Sequence, residues 1–297
     1  MNAAPEFGKV VIFGIGLIGG SFALALKAAG QAGEIVGFGR TATSLTKALE
    51  LGVIDRIGIH FGQDIPCADL IFIATPVGQM RDVLMNIEPH LNPETVVMDA
   101  GSVKEEVVSI AYQCLGKKIG QFVPVHPVAG AENSGALAAR VSLFKERKVV
   151  LTPLPENSAL TVARVCSAWE RCGANVSTLE PHEHDRVFAA VSHLPHLLSY
   201  ALVHYLTVRE NSDLYFDYAA SGFRDFTRIA ASHPEMWRDI SLSNQAALLE
   251  ELNGYQRQLD ELSEALRQKD ATSLEKIFTI ARSARRAWAK DGKTIKM

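Results

Sequence analysis

The sequence predicts an α/β fold, a doubly wound parallel sheet, followed by an all-α second half. Three observations carry that expectation. Short runs of continuous Val and Ile alternate with helix-length segments through the first 178 residues. Beyond Pro181 every segment of useful length spaces its apolar residues three and four apart. A chain of 297 residues is also long enough for two domains, because single cores stop growing near ~250–300 residues. The expected division is 1–178 for the sheet and 179–297 for the helices.

The elements follow in order. "KVVIFG" (9–14) reads as a buried strand, and "IGGSFALALKAAG" as a helix ending at Gly30. "EIVGFG" and "TSLTKALELG" repeat the strand–helix unit. "LIFIATP" (70–76), "TVVMDAG" (95–101), "FVPVHP" (122–127) and "KVVLTP" (148–153) continue the strand series. The helix "ENSALTVARVCSAWERCG" and the run "NVSTL" finish the domain. The helical half consists of "HEHDRVFAAVSHLPHLLSYALVHYL", "AASGFRDFTRIAAS", "PEMWRDISLSNQAALLEELNGYQRQLDELSEALRQ" and "ATSLEKIFTIARSARRAWA".

Composition narrows the function classes. Hydrophobic residues at 47% and charged residues at 21% are ordinary for globular proteins. A net charge of −3 gives no basic footprint for a nucleic-acid partner. Cys67, Cys114, Cys166 and Cys172 are scattered, without C-x-x-C or histidines at zinc spacing, and read as thiols in a reducing cytoplasm. No secretory signal is visible, and no uninterrupted apolar run approaches the ~20 residues that span a bilayer. A cytoplasmic protein without a membrane partner is expected.

"VVIFGIGLIGGSFA" places Gly14, Gly16 and Gly19 as G-x-G-x-x-G between a strand and a helix. The first glycine permits the tight turn, the second lets backbone approach a pyrophosphate, and the third lets helix pack on strand. The backbone N–H groups from Leu17 and Ile18 onward open the helix and favour phosphate. Strand, loop, helix and second strand together make a Rossmann-type dinucleotide site. An NAD site usually carries Asp or Glu at the end of the second strand, to accept from the ribose 2′-hydroxyl. Here "GFGRTATS" offers Arg40 and then Thr41. An arginine without a carboxylate matches a 2′-phosphate, so NADP is favoured over NAD.

Four further fragments point to a family: "DAGSVK" (99–104), "HPVAGAENSG" (126–135), "SHLPH" (192–196) and "GFRDFTRIAASHPEMWRDI" (222–240). With the glycine loop and "ATPV" (74–77), they closely resemble the prephenate/arogenate (cyclohexadienyl) dehydrogenases of tyrosine biosynthesis, in order and spacing, over nearly the whole chain. The resemblance implies oxidative decarboxylation of prephenate or arogenate, with hydride passing to NAD(P)+. It adds Thr75 and Pro76 to the cofactor residues, makes His126 the base on the substrate hydroxyl, and gives Ser102 the task of bonding that hydroxyl and orienting the histidine. Arg228 matches the arginine for the ring carboxylate. His196, with His193 as a helix-start or supporting group, falls at the substrate's side-chain end. It also implies a homodimer through the helical domain.

The residues themselves suit this chemistry. A neutral imidazole can draw off a hydroxyl proton, and its ordinary pKa near ~6.5 suits neutral pH. Ser102 and His126 follow strands at the carboxyl edge of the sheet, where α/β folds bind ligands. A guanidinium holds a carboxylate with two parallel bonds. Plainer roles compete. His126 can cap a turn; Arg224 is either a second substrate cation or a structural partner of Asp225, Asp239 or a neighbour; Trp237 and Asp225 lie at the site rim or serve packing and pairing. His193 and His196 stand three apart without a third metal ligand, so no metal is expected. His182 and His184 read as solvated interdomain residues. Leu242, Leu248, Leu249, Leu252, Leu259 and Leu262 form a stripe for a core or a dimer seam. Rival readings are another dehydrogenase pairing such a sheet with a helical half, as in the β-hydroxyacid type or pyrroline-carboxylate reductase, or a non-catalytic NADP sensor. The β-hydroxyacid type calls for a catalytic Lys where this chain has "SHLPHLLSYAL".

Overall fold

The computed structural model describes residues 5–130 and 135–290. The chain divides into two compact units, Met1–Ala247 and Leu248–Met297.

In the first unit, β1 (Phe7–Phe13), α1 (Leu17–Ala28), β2 (Ala32–Phe38), α2 (Ala42–Glu50), β3 (Arg56–Ile57), α3 (Phe61–Asp64), β4 (Leu70–Ile73), α4 (Met80–Ile87), β5 (Val96–Asp99), α5 (Glu105–Leu115) and β6 (Phe122–Val123) build a doubly wound layer. The sheet has six strands in the order β3-β2-β1-β4-β5-β6, and its pairings are parallel throughout. The order reverses between β1 and β4, the crevice where such folds bind dinucleotides. Continuous apolar strands are required because both faces are covered. Phe7, Val10 and Ile12 pack with Phe22, Leu26 and Trp169 on one side, while Val11 and Phe13 pack with Met80, Leu84, Val107 and Ile110 on the other. Each such side chain contributes roughly 1.5–3 kcal/mol when fully buried.

The last three strands do not extend this sheet. β7 (Val125–Pro127), β8 (Lys148–Leu151) and β9 (Asn175–Thr178) form a separate sheet, with β7 and β8 antiparallel and β8 and β9 parallel. "FVPVHP" is therefore two strands rather than one. Pro124 has no N–H for a ladder. The next amide, Val125 N, goes to the Asp99 carboxylate at 2.8 Å. α6 (Ala159–Arg171) crosses between β8 and β9, with the Ser158 hydroxyl capping its start at 3.0 Å from Thr161 N.

Helices follow: α7 (Pro181–Phe188), a π-helical turn (Ala189–His193), α8 (Leu194–Thr207), α9 (Ser212–Asp217), α10 (Ser221–Thr227), a 3₁₀ turn (Arg228–Ala231) and α11 (Pro234–Ser243). α12 (Gln245–Arg267) leads into the second unit, which is otherwise α13 (Ala271–Lys290). The run Pro181–Thr207, 27 residues, is long and apolar enough on average to cross a bilayer, which a search for uninterrupted apolar runs missed. It carries Asp185 and the buried His184 and His193, all hydrogen-bonded within the protein, so its polar groups belong to this fold.

Candidate active site at the carboxyl edge of the sheet

The glycine loop sits where β1 ends. Gly14 has φ +89°, and a Cβ there would stand 2.6 Å from the Ala74 carbonyl. A Cβ at Gly19 would fall 2.1 Å from the Gly14 carbonyl, so α1 can approach the strand only with glycine. Gly16 differs. Its φ is −96°, and a Cβ would meet nothing within 4 Å. Neither backbone nor packing demands glycine there, and the open space beside it fits a pyrophosphate. Gly16 caps α1 without a side-chain bond and the first turn has no acidic residue, leaving the N–H groups of Leu17 and Ile18 for an anion. Across the crevice, after β4, the Thr75 hydroxyl is buried without a partner among the described residues, and Pro76 begins the turn into α4. These residues fit a dinucleotide: an anion-ready helix start and an orphaned hydroxyl face the same switch point. Arg40 is exposed after β2; Thr41 caps α2 by accepting from Ser44 N at 3.3 Å.

Beside this crevice lies a buried ion pair. Lys104, fully buried, donates to Asp99 Oδ2 at 2.5 Å and to the Val125 carbonyl at 2.8 Å. Asp99 also accepts from Gly101 N at 2.7 Å and from Val125 N. One carboxylate and one ammonium thus tie the end of β5, the loop carrying Ser102, and the strand carrying His126. His126 lies within β7, 8% exposed.

His126 Nδ1 is 2.8 Å from His184 Nε2, and His184 Nδ1 is 2.7 Å from Asp185 Oδ1. The expectation of a solvated His184 is wrong. It is fully buried and stacks on Phe188 at 4.4 Å, because its neighbours on both sides are polar partners. His182 is exposed, 3.4 Å from Glu105. Asp185 accepts from Lys104 N at 2.7 Å and Glu105 N at 2.9 Å, satisfying free amides at the start of α5.

The π turn sets the phase of the remaining histidines. Nine residues of regular α-helix would put His193 about 180° from His184; one extra residue in a turn reduces this to about 80°, and brings His196 within about 20°. All three rings therefore share a side. Asn244, buried at the end of α11, donates from Nδ2 to the Asp185 carbonyl at 2.9 Å and stands 3.1 Å from His193 Nδ1. If His193 Nδ1 accepts that amide proton, Nε2 carries the ring hydrogen; Nε2 is buried and forms no well-aligned hydrogen bond among the described residues, the Ser102 backbone lying only near enough to favour the charged ring. A sealed N–H donor without an acceptor fits a bound ligand. His196 Nδ1 donates to the Ser192 carbonyl at 2.9 Å, and its ring stacks on Trp237 at 3.5 Å. Trp237 Nε1 is also buried without a partner among the described residues. Arg228 opens its 3₁₀ turn within electrostatic reach of His196. Arg224, read as either a second substrate cation or a structural partner of Asp225, Asp239 or a neighbour, makes no salt bridge to Asp225 or Asp239 among the described residues; Asp239 is held by Arg238 at 2.7 Å. Residues 131–134 of "HPVAGAENSG" lie outside the described residues.

Burial pushes His126 well below the ordinary imidazole range, and His184, Lys104 and His193 push in the same direction. His184 is lowered by burial, against the Asp185 hydrogen bond. His193 is pushed down to about 4, mainly by burial. His196 is lowered by burial, opposed by the Ser192 carbonyl and aided by Arg228. Four neutral imidazoles at neutral pH are four hydrogen-bonding groups able to take or hold protons.

Sequence reasoning missed Asp99, Lys104, Asp185 and Asn244 as site residues. An acidic residue closing an apolar strand, with a lysine five positions later, was the available signal for the first two. Nothing in the local pattern marks the others.

Comparison with known proteins agrees with the geometry. Residues 22–178 match the family described as prephenate dehydrogenase, nucleotide-binding domain, and residues 180–280 the one described as prephenate dehydrogenase, dimerization domain. The chain is 36% identical to the prephenate dehydrogenase of Bacillus subtilis, over 93% of this chain and 75% of that one. It is 33% identical to the cyclohexadienyl dehydrogenase of Zymomonas mobilis, over 96% and 97%. The crystal structure of Aquifex aeolicus prephenate dehydrogenase with hydroxyphenyl propionate and NAD+ superposes with a TM-score of 0.88 at 34% identity, covering 94% of this chain and 98% of that one. Synechocystis arogenate dehydrogenase gives 0.80 at 30%, over 94% and 99%. The chain belongs to the prephenate dehydrogenase family of NAD(P)-dependent oxidoreductases.

Proposed function

We propose that this chain carries out the oxidative decarboxylation of prephenate, arogenate or both, giving 4-hydroxyphenylpyruvate or tyrosine, with His126 as the base. What supports the reading is a buried imidazole whose strand is tied, through Val125 and Lys104, to Asp99 at the carboxyl end of β5, in the sheet that carries the anion-ready glycine loop. A nicotinamide held at the glycine loop would supply the hydride acceptor. His126 takes the proton of the ring hydroxyl as the hydride leaves its carbon, the bond to the ring carboxylate breaks with loss of CO₂, and the ring becomes aromatic. Ser102 bonds the same hydroxyl. Arg228 pairs with the ring carboxylate until it departs, holding it with a forked contact. His196 and His193 bind the side-chain end, where the orphaned His193 and Trp237 N–H groups offer donors.

NADP is the favoured cofactor, on the strength of Arg40 beside the start of α2 and the lack of a carboxylate at the end of β2. NAD is the alternative, as in the Aquifex relative. Residues 1–178 serve the dinucleotide, and 179–297 the substrate and dimer formation. Exposed Leu249, Leu259, Leu266, Phe278 and Ile280 on α12 and α13 give a homodimer an apolar surface to cover. A cytoplasmic site of action goes with this reading, without nucleic-acid or membrane partners.

The test pairs prephenate or arogenate with NAD+ or NADP+ and follows reduced-nicotinamide absorbance. Turnover is expected, and His126→Asn should lower kcat by roughly 10²–10⁴ with a smaller change in substrate binding. No turnover in any pairing, or a nearly unaffected His126→Asn, would remove the proposal.

A further inference from the structure

The hydrogen bonds behind His126 decide which of its nitrogens is the base. Asp185 has donors on both oxygens: Lys104 N and His184 Nδ1 on Oδ1, Glu105 N on Oδ2. With its oxygens occupied in this way it acts as an acceptor, so the His184 contact is a donation from Nδ1. A neutral imidazole has one ring hydrogen. His184 Nε2 is therefore a bare acceptor, and the 2.8 Å contact requires His126 to donate from Nδ1. That leaves the lone pair of His126 on Nε2, to which no group among the described residues hydrogen-bonds, while the residue keeps 8% of its surface open.

We propose that His184 and Asp185 are positioning residues that lock His126 in the Nδ1–H tautomer, so that Nε2 is the atom that receives the substrate proton. The inference rests on the reading of His126 as base and names the machinery behind it. During the step the hydroxyl O–H bond breaks and an Nε2–H bond forms. The imidazolium so made keeps its Nδ1–H on His184 Nε2, and the Asp185 carboxylate, bonded to His184 Nδ1–H, orients that ring and stabilises the positive charge with no further proton transfer. The same logic governs a carboxylate-oriented histidine wherever one works as a general base. Here a second ring is interposed, which lets a carboxylate on a helix steer an imidazole on a strand. The anchoring of Asp185 by two α5 amides keeps the arrangement in place before substrate arrives.

A packing role is the competing explanation, since Phe188 lies 4.6 Å from the His126 ring and 4.4 Å from the His184 ring. His184→Phe keeps the apolar bulk and removes the acceptor. His184→Gln returns an acceptor near the position of Nε2. Kinetics, cofactor affinity and thermal unfolding are measured for both. Histidine-selective ¹⁵N spectra of the unaltered enzyme at neutral pH, assigned against His126→Asn, report the tautomer directly. His184→Phe should lower kcat about 10²-fold with KM and cofactor affinity within about threefold, and His184→Gln should recover at least about tenfold of that loss. The spectrum should show His126 protonated at Nδ1 and bare at Nε2. An Nε2–H tautomer, or a His184→Phe enzyme within about threefold of normal kcat, overturns the proposal. Should His184→Phe not fold, the spectrum decides. Normal turnover by His126→Asn would defeat the base assignment instead, leaving the tautomer measurement as a separate result.

Discussion

Replacing Lys104 with Met tests whether the buried ion pair organises the site. The ammonium is fully buried, 2.5 Å from Asp99 Oδ2, and Asp99 is equally buried. Methionine keeps most of the stem volume but leaves a carboxylate without its counter-charge, and leaves the Val125 carbonyl without a donor. Breaking a buried pair from one side costs about 3–5 kcal/mol. For a cooperative unit of this size, 2–4 °C per kcal/mol makes that a fall of roughly 6–20 °C in Tm. Asp99→Asn combined with Lys104→Met should cost less than the two single changes together, by at least about 1.5 kcal/mol, because the second change removes the stranded charge. Urea unfolding of the four proteins gives the cycle. Since the pair fixes both neighbours of the catalytic edge, Lys104→Met should also lower kcat more than it raises KM. A loss below about 1 kcal/mol, or additive single changes, would refute the reasoning.

Other outcomes follow from the same geometry. His193 is held at about 4, against 6.5 in the unfolded chain, so below pH 6.5 the unfolded state takes up a proton that the folded state refuses. Stability present above 6.5 is lost progressively down to about 4, by roughly 3 kcal/mol from this residue, and His126 and His184 act in the same direction; urea midpoints that stay flat between pH 7 and 5 would contradict this. Because His126 is lowered too, the acid limb of kcat/KM should fall below pH 6.5, as a pH–rate profile will show. Gly16→Ala should leave Tm nearly unchanged and weaken dinucleotide binding by about tenfold or more, whereas Gly19→Ala should lower Tm as well, its Cβ being 2.1 Å from a carbonyl; cofactor titration beside thermal unfolding separates the two. Arg40→Asp should move selectivity from NADP+ toward NAD+, read as the ratio of kcat/KM values, and an unchanged ratio would remove the argument from Arg40.

What could be read from the sequence is what depends on local pattern. Apolar continuity gave β1, β4 and β5 because both sheet faces are covered, and Gly14 and Gly19 stood out because a turn and a close contact demand them. The break at Pro124 was readable in principle, since a proline cannot sustain a central ladder, but the apolar run around it masked the change of sheet. The polar network was not readable. Its bonds join residues 58, 80 and 81 positions apart, and each member looks ordinary in its own segment. His184 sits among charged residues at a helix start, which is the usual setting of a solvated histidine.

The π turn shows why such a network escapes periodicity altogether. Spacing arguments assume one phase along a helix, and under that assumption His184 and His193 face opposite ways. One additional residue between Ala189 and His193 rotates everything after it by about 100°, so α8 presents His193 and His196 on the side where α7 presents His184. The turn costs regular hydrogen bonding, and part of that cost comes from Pro195, which has no N–H to return to the Val191 carbonyl within the turn. What holds it is the bonding at either end: Asp185 to the start of α5 on one side, and His193 to Asn244 on the other. Asn244 also binds the Asp185 carbonyl, closing the loop. The distortion and the network therefore sustain each other. Asn244, remote from the glycine loop in sequence, becomes as much a determinant of the imidazole cluster as the helix that carries it.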